Sequence, residues 1–382
     1  MKLTYHPDFK FRFSIIVMLL YLIVALFAPF IANHKPLACK TKNGWIFPVF
    51  IENYNNVSET ECIFPIIPYG PQKTNVKDNI SSSPFENQEK LTWSHRHWLG
   101  TDKLGRDVAS GLIHGTKVAL QIGFLSVLLA FLIGVSIGML SAYYKDEGLQ
   151  MNILHFLFLL VSGFIFIFYC VYDWMFSGHH IAKWSLLLLL FLLLNNFIKW
   201  QTSKIKWLKF YKFPMDTIVI KIIEIRKSFP GTFILLALTS LFAIPSVWNI
   251  VIIITLLGWT EFARFARAET LAVKEENYIK AATILGYDHF RILYKHILPN
   301  ILPTLIVVAC FNISGAILLE STLSFLGIGL PVEQVTWGKM MAEGRSMLQW
   351  WMVVFPGMAL FIIILCLNTI ADVVIQKDSS MH

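Results

Sequence analysis

Residues 228–260 run for 33 positions without a charged side chain. A helix of that length, at about 1.5 Å per residue, is far longer than the roughly 30 Å hydrocarbon core of a bilayer. The run therefore reads as two crossings divided at Pro245, where the missing N–H interrupts a helix. The rest of the chain points the same way. With 56% hydrophobic residues, 15% charged, 31 Phe in 382 residues and a mean hydropathy of +0.61, it lies outside the range of soluble globular domains. Hydrocarbon offers no partner to a free backbone group, so apolar runs of about 20 residues are expected as helices. The expectation is an all-α polytopic membrane protein with eight spans, at residues 13–31, 118–140, 153–176, 181–198, about 222–243, 247 to about 262, 297–319 and 352–374.

The net charge of +8 sits in short Lys/Arg clusters between apolar runs, not along one face, which argues against nucleic acid as a partner. Lys2, Lys10 and Arg12 precede the first span and place the N-terminus inside. The first apolar run is long enough to stay in the membrane and reads as a span, not as a cleaved signal peptide. Eight crossings then put Lys199, Lys204, Lys206, Lys209 and Lys212, a stretch with no acid, on the same side. Arg264, Arg267, Lys274, Lys280, Arg291 and Lys295 fall there too, and so does the tail at 375–382. The polar stretch 33–111 falls outside.

One cytoplasmic stretch, "YIKAATILGYDHFRILYKHILP" at 278–299, breaks the apolar pattern. Residues 274–285 lack Gly and Pro and read as helix. Gly286 can end it with positive φ, and Asp288 can N-cap a second helix. Phe290, Leu293, Tyr294 and Ile297 then fall on one face as an amphipathic lead-in to the seventh span. Ala281 and Ala282 lack bulk, so another protein could approach the backbone there. Spacing alone favours a loop helix lying on the bilayer surface.

"KAATILGYDHFRILYKHILPN" resembles the EAA loop of the membrane subunits of ABC importers: Ala281, Ala282, Gly286, Ile297, Leu298 and Pro299 match the pattern, while Lys280 stands where the motif has Glu. "HWLGTDKLGRDVASGLIHGTKVAL" at 97–120 is similar to the signature before the second span in the C-type permease of dipeptide, oligopeptide and nickel importers. Its residues include Gly100, Thr101, Asp102, Gly105, Arg106 and Asp107. "ARFARAETLAVKEENYIKAA", "GAILLESTLSFLGIGL", "WGKMMAEGR" and "FPGMALFIIILCLNTIAD" look like the same subunit in the expected order.

The resemblance implies a type I ABC importer fold and half of a translocation pathway in a bacterial inner membrane, with both termini cytoplasmic. The implied partners are a second permease, two ATP-binding subunits docked on the EAA loops, an external binding protein and membrane lipid. The chain would be non-catalytic. "GTDKLGRD" has the glycines of a phosphate loop without its Lys-Ser/Thr, so ATP and Mg would be bound by the partner subunits and no cofactor by this chain. The family pattern has six spans; residues 149–212 are additional and contain two, an even number that leaves the sidedness of every later segment unchanged. The implied division is 1–33 for the N-terminus and first span and 34–112 for an external loop with the signature. Then come 113–148 for the second span, 149–212 for the insert, and 213–374 for the permease core with its EAA loop at about 263–296.

Other residues carry weaker signals. Asp102, Arg106 and Asp107 either form ion pairs that shape the signature loop or are solvated charges. Asn312 and Glu320, in the seventh span and at its outer end, fit pathway lining or helix–helix hydrogen bonding. Asp173 is expected to snorkel to the interface. His95 with His97, and His179 with His180, are too few or too close to form a metal site. Cys39 and Cys62 share the external loop and could form a disulfide, whereas Cys170, Cys310 and Cys366 read as small packing residues. A secondary transporter or channel not driven by ATP would show inverted repeats with broken helices at matching positions, and a membrane hydrolase a convergent nucleophile and base. Neither pattern is found in the sequence.

Overall fold

The computed structural model describes residues 7–41, 44–51, 61–74, 80–86, 88, 95–146, 150–152, 181–204, 210–242, 244–331 and 333–379, with scattered positions between 155 and 173. In chain order the elements are α1 (Pro7–Leu26), α2 (Ala28–Ile31), β1 (Ala38–Thr41), β2 (Gly44–Ile46), β3 (Glu61–Ile63), α3 (Val108–Tyr144), β4 (Gln150–Asn152), α4 (Ile181–Lys204), β5 (Phe210–Lys212), α5 (Met215–Ser228), α6 (Gly231–Leu241), α7 (Val247–Lys274), α8 (Asn277–Ile284), α9 (His289–Ile292), α10 (Leu298–Phe325), α11 (Trp337–Ser346) and α12 (Trp350–Ser379).

Among the described residues five helices are long and apolar enough to cross a membrane: Phe9–Leu26, Val108–Tyr144, Val247–Lys274, His289–Phe325 and Trp350–Lys377. They correspond to the first, second, sixth, seventh and eighth expected spans. The first ends earlier than expected, because Pro29 restarts the chain as the separate turn α2. Span 153–176 is described only at scattered positions, so its expected course cannot be followed as one helix. The fourth is α4, with its apolar stretch Ser185–Ile198. The single span expected over about 222–243 is instead two helices. Pro230 cannot donate to α5 and holds Phe229 extended (φ −102°, ψ 130°), so α5 stops and α6 restarts after it. At 11 residues α6 is about 16 Å long, too short for a crossing. Asp173 corrects another expectation: it is 3% exposed, so it does not snorkel.

The chain forms two compact units, each with its own packing. The first contains Met1–Ala130, Ser246–Gly258 and Pro303–His382. In it α1 packs on α12, where the Tyr21 hydroxyl donates to the Ala359 carbonyl (3.1 Å) and the Tyr21 ring meets Trp337 edge-on. The stretch after α2 folds as a small antiparallel sheet with β1 between β2 and β3. Cys39 and Cys62 are opposite each other in the β1–β3 register and are disulfide-bonded.

The second unit contains Phe131–Pro245 and Trp259–Leu302. Gly134 and Gly138, one turn apart on α3, meet the backbone of α7. A Cβ at either would lie 2.3 Å from a carbonyl, of Trp259 and of Ala263 respectively. Small residues at this spacing let helices approach closely without water to drive them together. Beside this seam Ile137 and Trp259 pack on the buried Val219, Ile223 and Ala263, and the Arg267 guanidinium donates both its bonds to Asp216 (2.6 and 2.7 Å). The two ends of the insert meet at its neck. Asp146 accepts from the Thr217 amide (3.0 Å) and hydroxyl (2.7 Å), and Gln150–Asn152 pair antiparallel with Phe210–Lys212.

Candidate functional site

The signature loop is built by its own charges. Gly100 (φ +82°) and Gly105 (φ +70°) make turns that L side chains rarely adopt, and a Cβ on Gly100 would stand 2.6 Å from the Ser82 carbonyl. These turns fold Asp102 back onto its own backbone, where one oxygen accepts from the amides of Leu104 and Arg106 (2.8 Å each). Its other oxygen takes the Arg106 Nε–H, and Arg106 Nη2 reaches Glu343 of α11 at 2.8 Å. Burial opposes the Arg106 charge, but the carboxylates of Asp102 and Glu343 outweigh it and hold the guanidinium pKa above its ordinary value. Asp107 caps α3 by accepting from the Ser110 amide (2.7 Å), and its second oxygen contacts Nδ1 of the buried His97 (2.8 Å), whose ring stacks on Tyr69. The Trp351 indole N–H donates to the Thr101 carbonyl (3.2 Å). Of the two readings left open for Asp102, Arg106 and Asp107, the ion-paired one is observed. The cavity beside them, about 20 Å³, has room for a water molecule and not for a solute.

Asn312 is half-buried and donates to the Val308 carbonyl of its own helix (2.9 Å). Glu320 is fully buried, accepting from Ser324 (2.7 Å) and Ser321 (3.3 Å), so within this chain it is sealed in a hydroxyl cage and faces no open channel. A Cβ on Gly338 of α11 would stand 2.1 Å from the Ser321 carbonyl, so α11 is seated against this end of α10. No cluster of three His, Cys, Asp or Glu side chains occurs among the described residues, and His179, His180 and Cys170 lie outside them. Cys310 and Cys366 are buried free thiols.

The elbow expected at 274–297 has two short helices, but its boundaries differ from the sequence reading. Helix α7 runs through to Lys274, and α8 begins only at Asn277. Gly286 follows with φ +76°. Asp288 occupies the N-cap position of α9 without a side-chain cap bond. The face expected from Phe290, Leu293, Tyr294 and Ile297 is split: Leu293 and Ile297 are buried, Phe290 and Tyr294 exposed. The i,i+4 pairs stay together, Phe290 with Tyr294 and Leu293 with Ile297, so the buried stripe is narrower than the expected face and its edge runs between the two pairs; Leu293–Ile297 form a π-helical turn. The alanine pair divides likewise, with Ala282 buried and Ala281 outward.

What the elbow presents outward is apolar: Ile284 is 86% and Leu285 73% exposed, with Phe290 and Tyr294 beyond. Its inner side is tied to the end of α3. Tyr143 Oη is 2.8 Å from His289 Nδ1, and Lys274 Nζ donates to the Tyr143 carbonyl (2.5 Å). Lys280, at the position where the motif has Glu, pairs with Glu275 at 3.1 Å across the α7–α8 turn and holds that carboxyl below its ordinary range. An open concavity beside the elbow is lined by Tyr143, Lys274, Ile279, Lys280, Ile284 and His289.

Residues 122–377 match the family described as binding-protein-dependent transport system inner membrane component. The chain belongs to this family. It is 27% identical over 281 residues to the dipeptide transport system permease protein DppC of Alkalihalophilus pseudofirmus, covering 73% of this chain and 70% of that protein. It is 26% identical over 309 residues to the glutathione transport system permease protein GsiD of Pectobacterium atrosepticum, covering 80% and 77%. Among solved structures, an inward-facing MetNI methionine ABC transporter aligns at 15% identity with a TM-score of 0.40, covering 69% of this chain and 95% of that one.

The chain is thus a membrane permease subunit of an ABC importer, multi-pass and non-catalytic, and it contributes to the translocation pathway. Membership implies a larger complex with ATP-hydrolysing and substrate-binding partners. Sequence reasoning missed Glu343 as the partner of Arg106 and the pairing of Asp216 with Arg267. "WGKMMAEGR" was visible as a motif, but a lone acid there carries no signal of which base it meets.

Proposed function

We propose that this chain is the C-type permease of an importer for dipeptides, oligopeptides or similar small solutes. A second, related permease completes the pathway, and an external binding protein delivers the substrate. Two ATP-binding subunits drive the complex, one seated on this chain's elbow. The observation that carries the reading is the elbow itself, where Ile284 and Leu285 stand outward around a positive-φ glycine in a chain of the importer family. An apolar, turn-fixed knob of this kind fits a groove on a partner and passes a push to the helices on either side of it, α7 and α10. Lys280, Ala281, Ala282, Gly286, Asp288, Ile297, Leu298 and Pro299 make up this coupling loop. Ala282 and Ile297 act from inside it, holding the knob in shape.

The signature residues Gly100, Thr101, Asp102, Gly105, Arg106 and Asp107 form a rigid cover held to α11. Disulfides persist in oxidising compartments, so Cys39–Cys62 supports an external position for this end of the chain and cytoplasmic termini. In this reading six spans form the permease core, with α5 and α6 together supplying the one at about 222–243, and two belong to the insert at 149–212. Asn312 is the better candidate for pathway lining, since Glu320 is sealed. The peptide substrate class rests on the names of the relatives.

Copurification tests the proposal. The tagged chain, extracted gently from native membranes, is expected to bring a second permease and two ATP-binding subunits, and Gly286→Pro to shed the ATP-binding subunits while keeping the permease. A chain that purifies alone, unaffected by the substitution, would overturn it.

A further inference from the structure

An aromatic ladder leads off the end of the first span onto the disulfide-bonded sheet. The apolar stretch Phe9–Leu26 has 18 residues and is little buried within the protein. Counted from Phe13, the first residue after the charged Lys10 and Arg12, the run to Ile31 covers roughly 28 Å at about 1.5 Å per residue, close to the thickness of the hydrocarbon core, so Phe30 and Ile31 stand at its boundary. The Phe27 and Phe30 rings are 6.1 Å apart, and Phe50 from the loop after β2 meets Phe30 edge-on at 5.8 Å. The chain after β3 returns to the same place: Ile67 donates to the Ile31 carbonyl (3.0 Å) and accepts from the Asn33 amide (3.1 Å). That ladder fixes Ile66, 83% exposed, next to the end of the span, while Phe50 is 74% exposed at the other side of Phe30. Phe47 and Phe64, both more than half exposed, flank them in the chain. Lys35 ties this edge down by donating to the Ile51 carbonyl (2.6 Å).

We infer that the sheet is a membrane-interface anchor, with Phe50 and Ile66 inserted among the lipid headgroups and upper acyl chains of the leaflet where the first span ends. Three observations favour lipid over a protein partner. The patch is continuous with the outward face of a membrane span that is only 11% buried within the chain. Its depth, set by the span length, coincides with the interface, where aromatic rings concentrate. Ile66 is held there by the pairing of Ile67 with Ile31 and Asn33, and Phe50 by its ring contact with Phe30, so both reach the boundary whenever the span is in the membrane. The disulfide between Cys39 and Cys62 fixes β1 to β3 and keeps the two chain returns together.

Photocrosslinking in native membranes, on the assembled complex, tests the inference. p-Benzoylphenylalanine is placed at Phe50, at Ile66 and, as an aqueous control, at the exposed Lys73. After irradiation, mass spectrometry of the purified chain is expected to find phospholipid adducts at positions 50 and 66 and none at 73. Adducts to another polypeptide at 50 and 66 would overturn the inference in favour of a docking surface. No adduct at either, with the chain still inserted and its disulfide intact, would overturn it in favour of a solvated cap.

Discussion

Gly138 offers the sharpest test of how the helices are held. In Gly138→Ala the new Cβ would fall 2.3 Å from the Ala263 carbonyl oxygen, 2.9 Å from its Cα and 3.0 Å from its carbonyl carbon. All three atoms are backbone, so no side chain can swing away. Relief of the clash requires α3 and α7 to separate by about 1 Å, and a gap of that size already forfeits a quarter to a half of the dispersion energy along a contact. Overpacking of this kind costs about 1–3 kcal/mol, a roughly 5- to 150-fold shift in the folding equilibrium. Gly315→Ala is the comparator. It is also mid-helix but has nothing within 4 Å, so the substitution should be neutral or stabilising by about 0.5–1 kcal/mol. Titration of the purified complex with SDS in mixed micelles, followed by tryptophan fluorescence, reads both. If the two variants unfold together, close approach at Gly138 is not what holds this seam.

Arg106→Ala leaves Asp102 and Glu343 without their shared cation; the pair is partly buried, so a loss near the lower end of the buried range, about 3 kcal/mol, is expected, and hydrogen exchange at the signature loop should rise. Arg267→Lys keeps the charge but loses the fork, and is expected to cost about 1–2 kcal/mol of the Asp216 contact in the same SDS titration, with Asp216→Asn no worse than additive at half that loss. The Glu275 carboxyl is held below its ordinary 4.5 by Lys280. A depressed folded value gives stability that is full above 4.5 and lost as pH falls through the folded value. The elbow clip should thus be unchanged from pH 8 to 5 and open only in stronger acid, where Glu275→Gln becomes indistinguishable from wild type by hydrogen exchange at α8.

The spans legible in the sequence were those whose apolar runs are long and uninterrupted. Their bounds were misplaced where hydropathy ignored backbone chemistry: Pro230 stops a helix that hydropathy alone carries through. The elbow was recognisable because Gly286 sits at a motif spacing, yet its inner and outer faces were not. Spacing places Phe290, Leu293, Tyr294 and Ile297 within one arc, but it carries no signal of where along that arc burial ends. Asp102 and Arg106 were legible as a candidate ion pair four residues apart, while Glu343 was invisible as a partner of Arg106 because the contact joins positions 237 residues apart. Long-range charge pairing leaves no trace in local pattern.

The central claim is that ATP hydrolysis by partner subunits, applied at the elbow, drives uptake through this chain. Reconstitution of the complex in proteoliposomes with its binding protein and a labelled peptide tests it most directly. Uptake should require ATP on the elbow side, ignore an imposed proton or sodium gradient, and fall together with binding-protein-stimulated ATP hydrolysis in Leu285→Asp. Uptake by the chain without ATP, driven by an ion gradient and indifferent to Leu285→Asp, would contradict the account.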